Sequence, residues 1–276
     1  MIFTQSLHNH TTFDDGKHSP AEMAASALSL GLVGLGLTAH SPMENEFWTV
    51  KPERMAEYRA ELARLKRDYA GRMNVWCGLE FDLTSDRKWL GGFDYVIASV
   101  HALQTPRGLW ALDDNRERSR RMIVIAFEGD RDAAAEAYFA KVKEIAQIDR
   151  ADIVGHFDLI TKFDEPEPLY DAASPRYRAA ALDAMEALVR AGKIFEINTG
   201  AMSRGYRTAP YPAPALLCAL REMGGRVTIT ADAHSRENLA FAFDQAEAAA
   251  RAACFTELWE FDGAGFAPRA LGRRTP

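Results

Sequence analysis

Short apolar runs rich in β-branched and aromatic residues recur along the chain and alternate with longer segments of helical period. The runs predict seven strands, at residues 2–7, 33–38, 74–79, 95–100, 152–155, 194–198 and 227–230. The intervening segments predict six helices, at residues 20–30, 52–70, 132–149, 175–191, 213–223 and 236–252. Alternation of this kind is typical of a parallel sheet whose strands are joined by helices.

The ends of two predicted helices carry recognisable signals. Ser19 precedes Pro20, and Glu22 stands three residues after the serine, which is the pattern of a capping box with a first-turn proline. Gly31 and Gly192 follow helical runs, where a left-handed residue commonly ends a helix.

Seven strand and helix units favour an α/β barrel one unit short of eight over an open doubly wound sheet. The segment 103–131 contains Pro106, Gly108 and many charges, so we expect a long irregular connection above the barrel mouth. No linker or internal repeat divides the chain, which predicts a single domain over residues 1–276.

Composition narrows the class of protein. A hydrophobic share of 47% and a charged share of 26% are ordinary for a globular protein, and the net charge of -6 makes a nucleic-acid partner unlikely. Neither a signal peptide nor a membrane-spanning run is present, so we expect a cytoplasmic protein without a membrane partner. Cys77, Cys218 and Cys254 stand singly and are expected to be buried thiols.

Side chains that commonly bind metals stand at the ends of nearly all predicted strands. They are His8, His10, His40, Glu80, His101, His156, Asp232 and His234. The carboxyl ends of parallel barrel strands converge on one face, so we expect these side chains in one pocket. A single strand-end histidine is more often structural, but six together indicate a metal site.

The spacing of the ligands supports this interpretation. Residues two apart on an extended strand point the same way, as His8 and His10 would, and Asp232 and His234 repeat the spacing. Either Asp14 or Asp15 could add a carboxylate from the following turn, whereas His18 is expected to be a solvated turn residue. Imidazole and carboxylate ligands without thiolate fit Zn, Mn or Fe and do not select among them.

Several stretches of the sequence resemble the polymerase-and-histidinol-phosphatase (PHP) superfamily of metal phosphoesterases. They are residues 8–12 with Asp15-Gly16, 37–42, 78–80, 99–101, 155–159 and 232–234. Further phrases at residues 93–97, 196–199 and 211–214 resemble the bacterial monofunctional histidinol-phosphate phosphatases of that superfamily. The matching stretches are specific as a set and weak singly.

The resemblance implies a distorted seven-unit barrel that holds three divalent metal ions. The first ion would be bound by His8, His10, Glu80 and Asp232, the second by Glu80, His101 and His156, and the third by Asp15, His40 and His234. Glu80 would be the catalytic bridge, and Asp232 or His234 would protonate the leaving alkoxide. Two positions depart from the family pattern: Ala39 stands where Asp is usual, and Asp15 stands where many histidinol phosphatases have His.

The resemblance also implies a small phosphomonoester substrate, L-histidinol phosphate. Lys162 and either Arg204 or Arg207, which follow strand ends, are candidates to bind the phosphate, and Asn198 is suited to hydrogen bonding with the substrate. Glu44, Asp82 and Asp113 are three possible partners for the substrate ammonium, among which the sequence does not choose. The alternative functions are a PHP-type phosphoesterase or nuclease acting on nucleotides or nucleic-acid ends, and a noncatalytic metal-binding module. The sequence gives no oligomeric state.

Overall fold

The computed structural model describes residues 4–43, 46–165 and 167–272. Its centre is a seven-stranded parallel sheet that contains all seven predicted strands. These strands are β1 (Gln5–Ser6), β2 (Gly34–His40), β3 (Asn74–Asp82), β4 (Tyr95–Ser99), β7 (Ile153–Val154), β8 (Ile194–Asn198) and β9 (Arg226–Thr230). Their order in the sheet is β1-β2-β3-β4-β7-β8-β9, which is also their order along the chain.

Backbone hydrogen bonds beyond the ends of β1 and β9 draw the two edges of the sheet together. Asn9 and Ala233 form a parallel bridge, in which the His10 N–H donates to the Ala233 carbonyl at 2.9 Å and the Ala233 N–H donates to the His8 carbonyl at 3.2 Å. The sheet is therefore a nearly closed barrel, which confirms the predicted distorted seven-unit α/β barrel.

Helices connect the strands and pack around the barrel. They are α1 (Pro20–Ser29), α2 (Met55–Asp68), α3 (Arg116–Ala126), α4 (Arg131–Lys143), α5 (Pro175–Arg190), α6 (Gly200–Ser203), α7 (Pro214–Glu222) and α8 (Phe243–Ala252). All seven residues of β2 are buried, as expected for a strand covered on both faces.

The predicted helix-end signals are confirmed. The Ser19 side chain accepts a hydrogen bond from the Glu22 N–H, and the Glu22 carboxylate accepts one from the Ser19 N–H. A cap of this kind contributes about 1 kcal/mol to helix stability. Gly31 has φ of 76° and Gly192 has φ of 72°, so both adopt the left-handed conformation that favours glycine.

A C-terminal hairpin covers the amino end of the barrel, a feature that the sequence analysis missed. It consists of β10 (Glu257–Phe261) and β11 (Phe266–Ala270). Gln5 at the start of β1 donates to the Phe261 carbonyl at 2.7 Å and accepts from the Phe261 N–H at 3.0 Å. Phe261 also packs against Trp76 and Tyr95, so the hairpin closes this end with aromatic side chains.

The prediction of an irregular connection over residues 103–131 is wrong. The chain there forms an antiparallel hairpin of β5 (Ala102–Thr105) and β6 (Gly108–Ala111), followed by helix α3. Gly108 turns the hairpin with φ of 120°, and Asn115 caps α3 by accepting from the Arg118 N–H at 2.9 Å. Helix α3 contains many arginines and has only a narrow apolar face, so its sequence does not show a clear helical period.

Two other expectations need correction. The helix predicted from residue 236 begins at Phe243, because Ala242 has φ of 53° and interrupts the chain after a short 3₁₀ turn. Cys218 and Cys254 are exposed and Cys77 is half-buried, so the expectation of three buried thiols is wrong.

In the ranges that the structure describes, we find no helix whose length and apolar character would let it cross a membrane.

Candidate metal centre

The structure brings all nine predicted ligands to the carboxyl end of the barrel. Three groups of ligand atoms, each within 4.8 Å of one another, contain eight of them: His8, His10 and Asp232; His40, Glu80 and His101; and His10, Asp15, His40 and His234. His156 joins them through its Nε2 atom, which lies 3.1 Å from Glu80 Oε1. Side chains from residue 8 to residue 234 thus meet because parallel strands end at one face.

Glu80, at the end of β3, is the central carboxylate. Its Oε2 atom lies 3.1 Å from His8 Nε2, 3.4 Å from His10 Nε2 and 2.9 Å from His40 Nδ1. Burial opposes ionisation of Glu80, but the surrounding imidazoles outweigh it and hold the pKa of its carboxyl well below the ordinary value. Glu80 is therefore an anion in contact with several potential ligands.

The second oxygen of Glu80 faces a different pair of histidines. Oε1 accepts a hydrogen bond from Ser99 Oγ at 2.7 Å and lies 3.1 Å from His156 Nε2 and 3.4 Å from His101 Nε2. Each carboxylate oxygen thus belongs to its own cluster of nitrogen atoms. This is the arrangement in which one carboxylate can bridge two cations.

Asp232, just beyond β9, is held in an unusual backbone conformation. Its φ of 46° lies in the left-handed region, which non-glycine residues seldom adopt and which recurs at functional sites. Its Oδ1 atom lies 3.3 Å from His10 Nε2. A Cβ atom added to Gly200 would lie 2.5 Å from Asp232 Oδ2, so a glycine is required beside this carboxylate.

Asp15 and His234 form the outer part of the centre. His234 Nε2 lies 3.2 Å from Asp15 Oδ2, and His40 Nε2 lies 3.8 Å from Asp15 Oδ1. The ring of His10 stacks between those of His40 and His234, at centroid distances of 4.3 and 4.2 Å. Asp15 rather than Asp14 therefore stands among the candidate ligands.

Three further carboxylates orient the imidazoles from behind. Asp14 lies 2.7 Å from His10 Nδ1, and Asp82 lies 3.1 Å from His101 Nδ1. A carboxylate that accepts the Nδ1 proton of a histidine leaves the Nε2 lone pair free for a metal ion. From the sequence, Asp14 was expected only as a possible metal ligand and Asp82 only as a possible partner for the substrate, although the spacing of four residues between His10 and Asp14 was a usable signal.

Glu196 in β8 is the third of these carboxylates and the most connected. It accepts from His8 Nδ1 at 2.9 Å and Thr230 Oγ1 at 2.9 Å through Oε2, and from the His156 N–H at 2.6 Å and Asn198 Nδ2 at 2.7 Å through Oε1. Burial opposes its ionisation, but His8 outweighs burial and lowers the pKa of Glu196. Glu196 had entered the sequence analysis only as part of a motif.

Unpaired ligand atoms test whether cations fit this centre. Within the described part of the chain, five buried atoms of the cluster have no hydrogen-bond partner: His8 Nε2, His10 Nε2, His40 Nδ1, His156 Nδ1 and Glu80 Oε2. A buried polar atom without a partner costs about 1–3 kcal/mol. All of these atoms except His156 Nδ1 lie within 3.4 Å of an opposing ligand atom, so divalent cations between them would provide partners for these four atoms.

A cavity of about 960 Å³ opens above the ligands. Asp15, His40, Glu80, His101, His156, Asp232 and His234 line it, together with Trp48, Asp113, Lys162, Arg204 and Tyr206. Two of the predicted phosphate-binding cations, Lys162 and Arg204, therefore face the cavity. Arg204 contacts Asp232 Oδ2 at 3.0 Å and His234 Nδ1 at 2.9 Å.

The structure does not bring the other two predicted substrate-binding residues to this cavity. Arg207 donates to the Thr161 carbonyl and hydroxyl and lies over the Tyr211 ring, so its charge is used in holding a loop. Asn198 is fully buried and donates to Glu196, which makes it a support for the metal centre. We leave both residues out of the proposed substrate site.

Comparison with known proteins agrees with this geometry. The PHP domain model matches residues 6–200. A protein of Deinococcus radiodurans named "Probable histidinol-phosphatase" is 33% identical over 240 residues, which cover 83% of this chain and 85% of the relative.

Two crystal structures share the fold. One from Listeria monocytogenes has a TM-score of 0.77 at 18% identity and covers 87% of this chain and 98% of its own. A second, of histidinol phosphate phosphatase from Lactococcus lactis complexed with zinc, L-histidinol and phosphate, has a TM-score of 0.71 at 20% identity and covers 96% and 99%. The chain belongs to the PHP domain family.

Proposed function

We propose that the protein is a metal-dependent phosphomonoesterase that hydrolyses L-histidinol phosphate to L-histidinol and phosphate. The observation that carries the proposal is the set of nine converging ligands beneath a cavity that also presents Lys162 and Arg204. The name of the Deinococcus relative and the ligands of the Lactococcus structure support the substrate. The reaction is a step of histidine biosynthesis. The sequence predicts that the protein is cytoplasmic, which is consistent with this role.

The centre holds more than one divalent cation in this proposal. His8, His10 and Asp232 would hold the first ion, His101 and His156 the second, and Asp15, His40 and His234 the third, with Glu80 shared between the first two. Zn, Mn and Fe all suit these ligands. Divalent cations in such a site supply Lewis acidity, which activates water and stabilises negative charge on a phosphoryl group.

The chain's own residues bind and orient the phosphate. Lys162 and Arg204 both line the cavity, and both can donate hydrogen bonds to phosphate oxygens. Asp232 and His234 lie beside Arg204, and one of them would take up the proton that the attacking water loses and pass it to the leaving alkoxide. Burial opposes ionisation of Asp232, but Arg204 and His8 outweigh it and hold the pKa of Asp232 well below the ordinary value, which suits a ligand.

Phosphate release from a panel of phosphoesters tests the proposal. The panel contains L-histidinol phosphate, a simple alkyl phosphate, nucleotides and short oligonucleotides, each with Zn, Mn or Fe. We expect the highest kcat/KM on L-histidinol phosphate. Faster cleavage of oligonucleotides would replace the proposal with the nuclease alternative, and no hydrolysis of any ester with any metal would favour a noncatalytic metal-binding module.

A further inference from the structure

We propose that Asp113 determines substrate specificity by binding the ammonium group of the substrate, in exchange for its ion pair with Lys162. The inference rests on the proposed function and deepens it, because it names the residue that distinguishes an aminoalkyl phosphate from other phosphomonoesters.

The hairpin of β5 and β6 places Asp113 in the cavity. The hairpin leaves the barrel directly after His101 and returns to it, since the Leu112 N–H donates to the His101 carbonyl at 2.9 Å. Asp113 follows immediately and lines the cavity, with 30% of its side chain exposed. The backbone of this hairpin thereby holds the Asp113 carboxylate close to His101, at the mouth of the barrel.

Lys162 makes two different contacts with Asp113. Its ammonium donates to the Asp113 carbonyl at 2.8 Å and lies 3.2 Å from Asp113 Oδ2. Burial opposes ionisation of Asp113, but Lys162 outweighs it and lowers the pKa of the carboxyl, so Asp113 is an anion at neutral pH. Lys162 can turn toward a phosphate while keeping its bond to the carbonyl, which releases the carboxylate.

Other carboxylates near the cavity have partners that are not proposed to bind the phosphate, whereas Asp113 is paired with Lys162. Asp82 is held by His101 and Thr84, and Glu46 accepts from the indole of Trp48. Asp114 pairs with Arg118 at 2.5 Å. Glu44, the remaining residue that the sequence suggested for this role, lies outside the described residues. The structure therefore favours Asp113 over Asp82.

The exchange matches the chemistry of the substrate. L-Histidinol phosphate carries an anionic phosphate and a cationic ammonium, and the Lys162–Asp113 pair offers one partner for each. A phosphomonoester without the ammonium would draw Lys162 away and leave Asp113 unpaired in a half-buried position. Leaving an ionised carboxylate without a partner costs free energy, so an ester that lacks the ammonium should bind more weakly.

The test compares two substrates that differ only in the amino group. These are L-histidinol phosphate and 3-(imidazol-4-yl)propyl phosphate, assayed with the metal-loaded wild type and with Asp113→Asn. We expect the wild type to prefer the amino substrate by about 10- to 100-fold in kcat/KM, as for loss of one charged hydrogen bond. Asp113→Asn should lower kcat/KM for that substrate by a similar factor, mainly through KM, and should leave or raise kcat/KM for the deamino ester.

Asp114→Asn is the matched control, because it removes the neighbouring negative charge and should leave the preference for the amino substrate intact. Equal losses on both substrates in Asp113→Asn would overturn the proposal, since they would show a role in folding or in placing Lys162. If that variant does not fold, an absence of preference in the wild type would overturn it equally. Failure of the wild type on both substrates would instead refute the proposed function.

Discussion

The Nε2 atoms of His101 and His156 lie 3.1 Å apart, although the two residues follow different strands of the barrel. Asp82 accepts from Nδ1 of His101, so the Nε2 of that ring presents a lone pair to its neighbour. A cation is a better partner for this lone pair than a second imidazole. The metal-free protein should accordingly be less stable than the metal-bound protein.

Removal of the metals should lower both activity and stability. A ligand at 1,000 times its dissociation constant stabilises a folded protein by about 4 kcal/mol, which for a chain of this size corresponds to a melting shift on the order of 10 °C. We expect a chelator to abolish phosphate release and to lower Tm by that amount, and added Zn or Mn to restore both. An unchanged Tm after verified metal loss would contradict the assignment of the centre.

Substitution of the bridging carboxylate should be more damaging than any other single change at the site. Glu80→Gln removes the negative charge shared by two clusters of imidazoles, and we expect kcat to fall on the order of 10³-fold because metal ions contribute several kcal/mol to such reactions. Elemental analysis should show fewer bound metals. Glu237→Gln, at an exposed carboxylate beside Arg236, is the control that should retain full metal content.

Glu196→Gln tests whether the Glu196 carboxylate orients His8 for metal binding. The amide would present a donor where a carboxylate oxygen now accepts from His8 Nδ1, so we expect about 10- to 100-fold weaker metal binding. Titration of the apoprotein with Zn measures the effect, and excess metal should restore part of the activity. If Zn binds as tightly as in the wild type, Glu196 serves the fold alone.

Even the conservative substitution Arg204→Lys should reduce activity. Its guanidinium contacts Asp232 through one nitrogen and His234 through another, a geometry that a single ammonium does not reproduce. We expect Arg204→Lys to raise KM and to lower kcat/KM by about 10- to 100-fold, as for loss of a charged hydrogen bond. Steady-state kinetics on L-histidinol phosphate would show this, and wild-type values would exclude Arg204 from phosphate binding.

The three cysteines should differ in reactivity. Cys218 and Cys254 are exposed, whereas burial raises the pKa of the Cys77 thiol to about 12, so this thiol is almost wholly protonated at neutral pH. A thiol-specific chromogenic reagent should therefore modify two residues quickly in the folded protein and the third only after denaturation. Rapid modification of all three thiols would indicate that β3 is less well packed than described.

The barrel and the convergence of its candidate ligands were predictable because both depend on a periodic signal. Apolar strand runs ending in His, Glu or Asp indicate both the parallel sheet and the face where its ends meet, and this reasoning found Glu80 and His156 without a structure. The roles of Asp14 and Glu196 were harder to predict, because a carboxylate that orients a ligand and one that binds a metal have the same sequence signal. Three-dimensional distance alone separates them.

The errors have similarly local causes. The apolar side of α3 is narrow among its arginines, so the segment appeared irregular. Arg207 follows a strand end much as Arg204 does, yet a loop conformation directs it to Thr161. The periodic pattern of the sequence does not predict which way a loop side chain such as that of Arg207 points. The C-terminal hairpin was missed because its contacts with the barrel, such as those of Phe261 with Gln5, Trp76 and Tyr95, join residues that are distant in sequence and leave no periodic signal.

The hairpin that covers the amino end of the barrel also determines where both ends of the described chain lie. Trp76, which packs on this hairpin, and Glu80 are four residues apart on β3, a separation of roughly 13 Å along an extended strand. Gln5 and Phe261 are hydrogen-bonded at the Trp76 end. Thr4, the first described residue, accepts a hydrogen bond from Arg269 of this hairpin, so the described chain starts and ends on the side of the barrel away from the cavity.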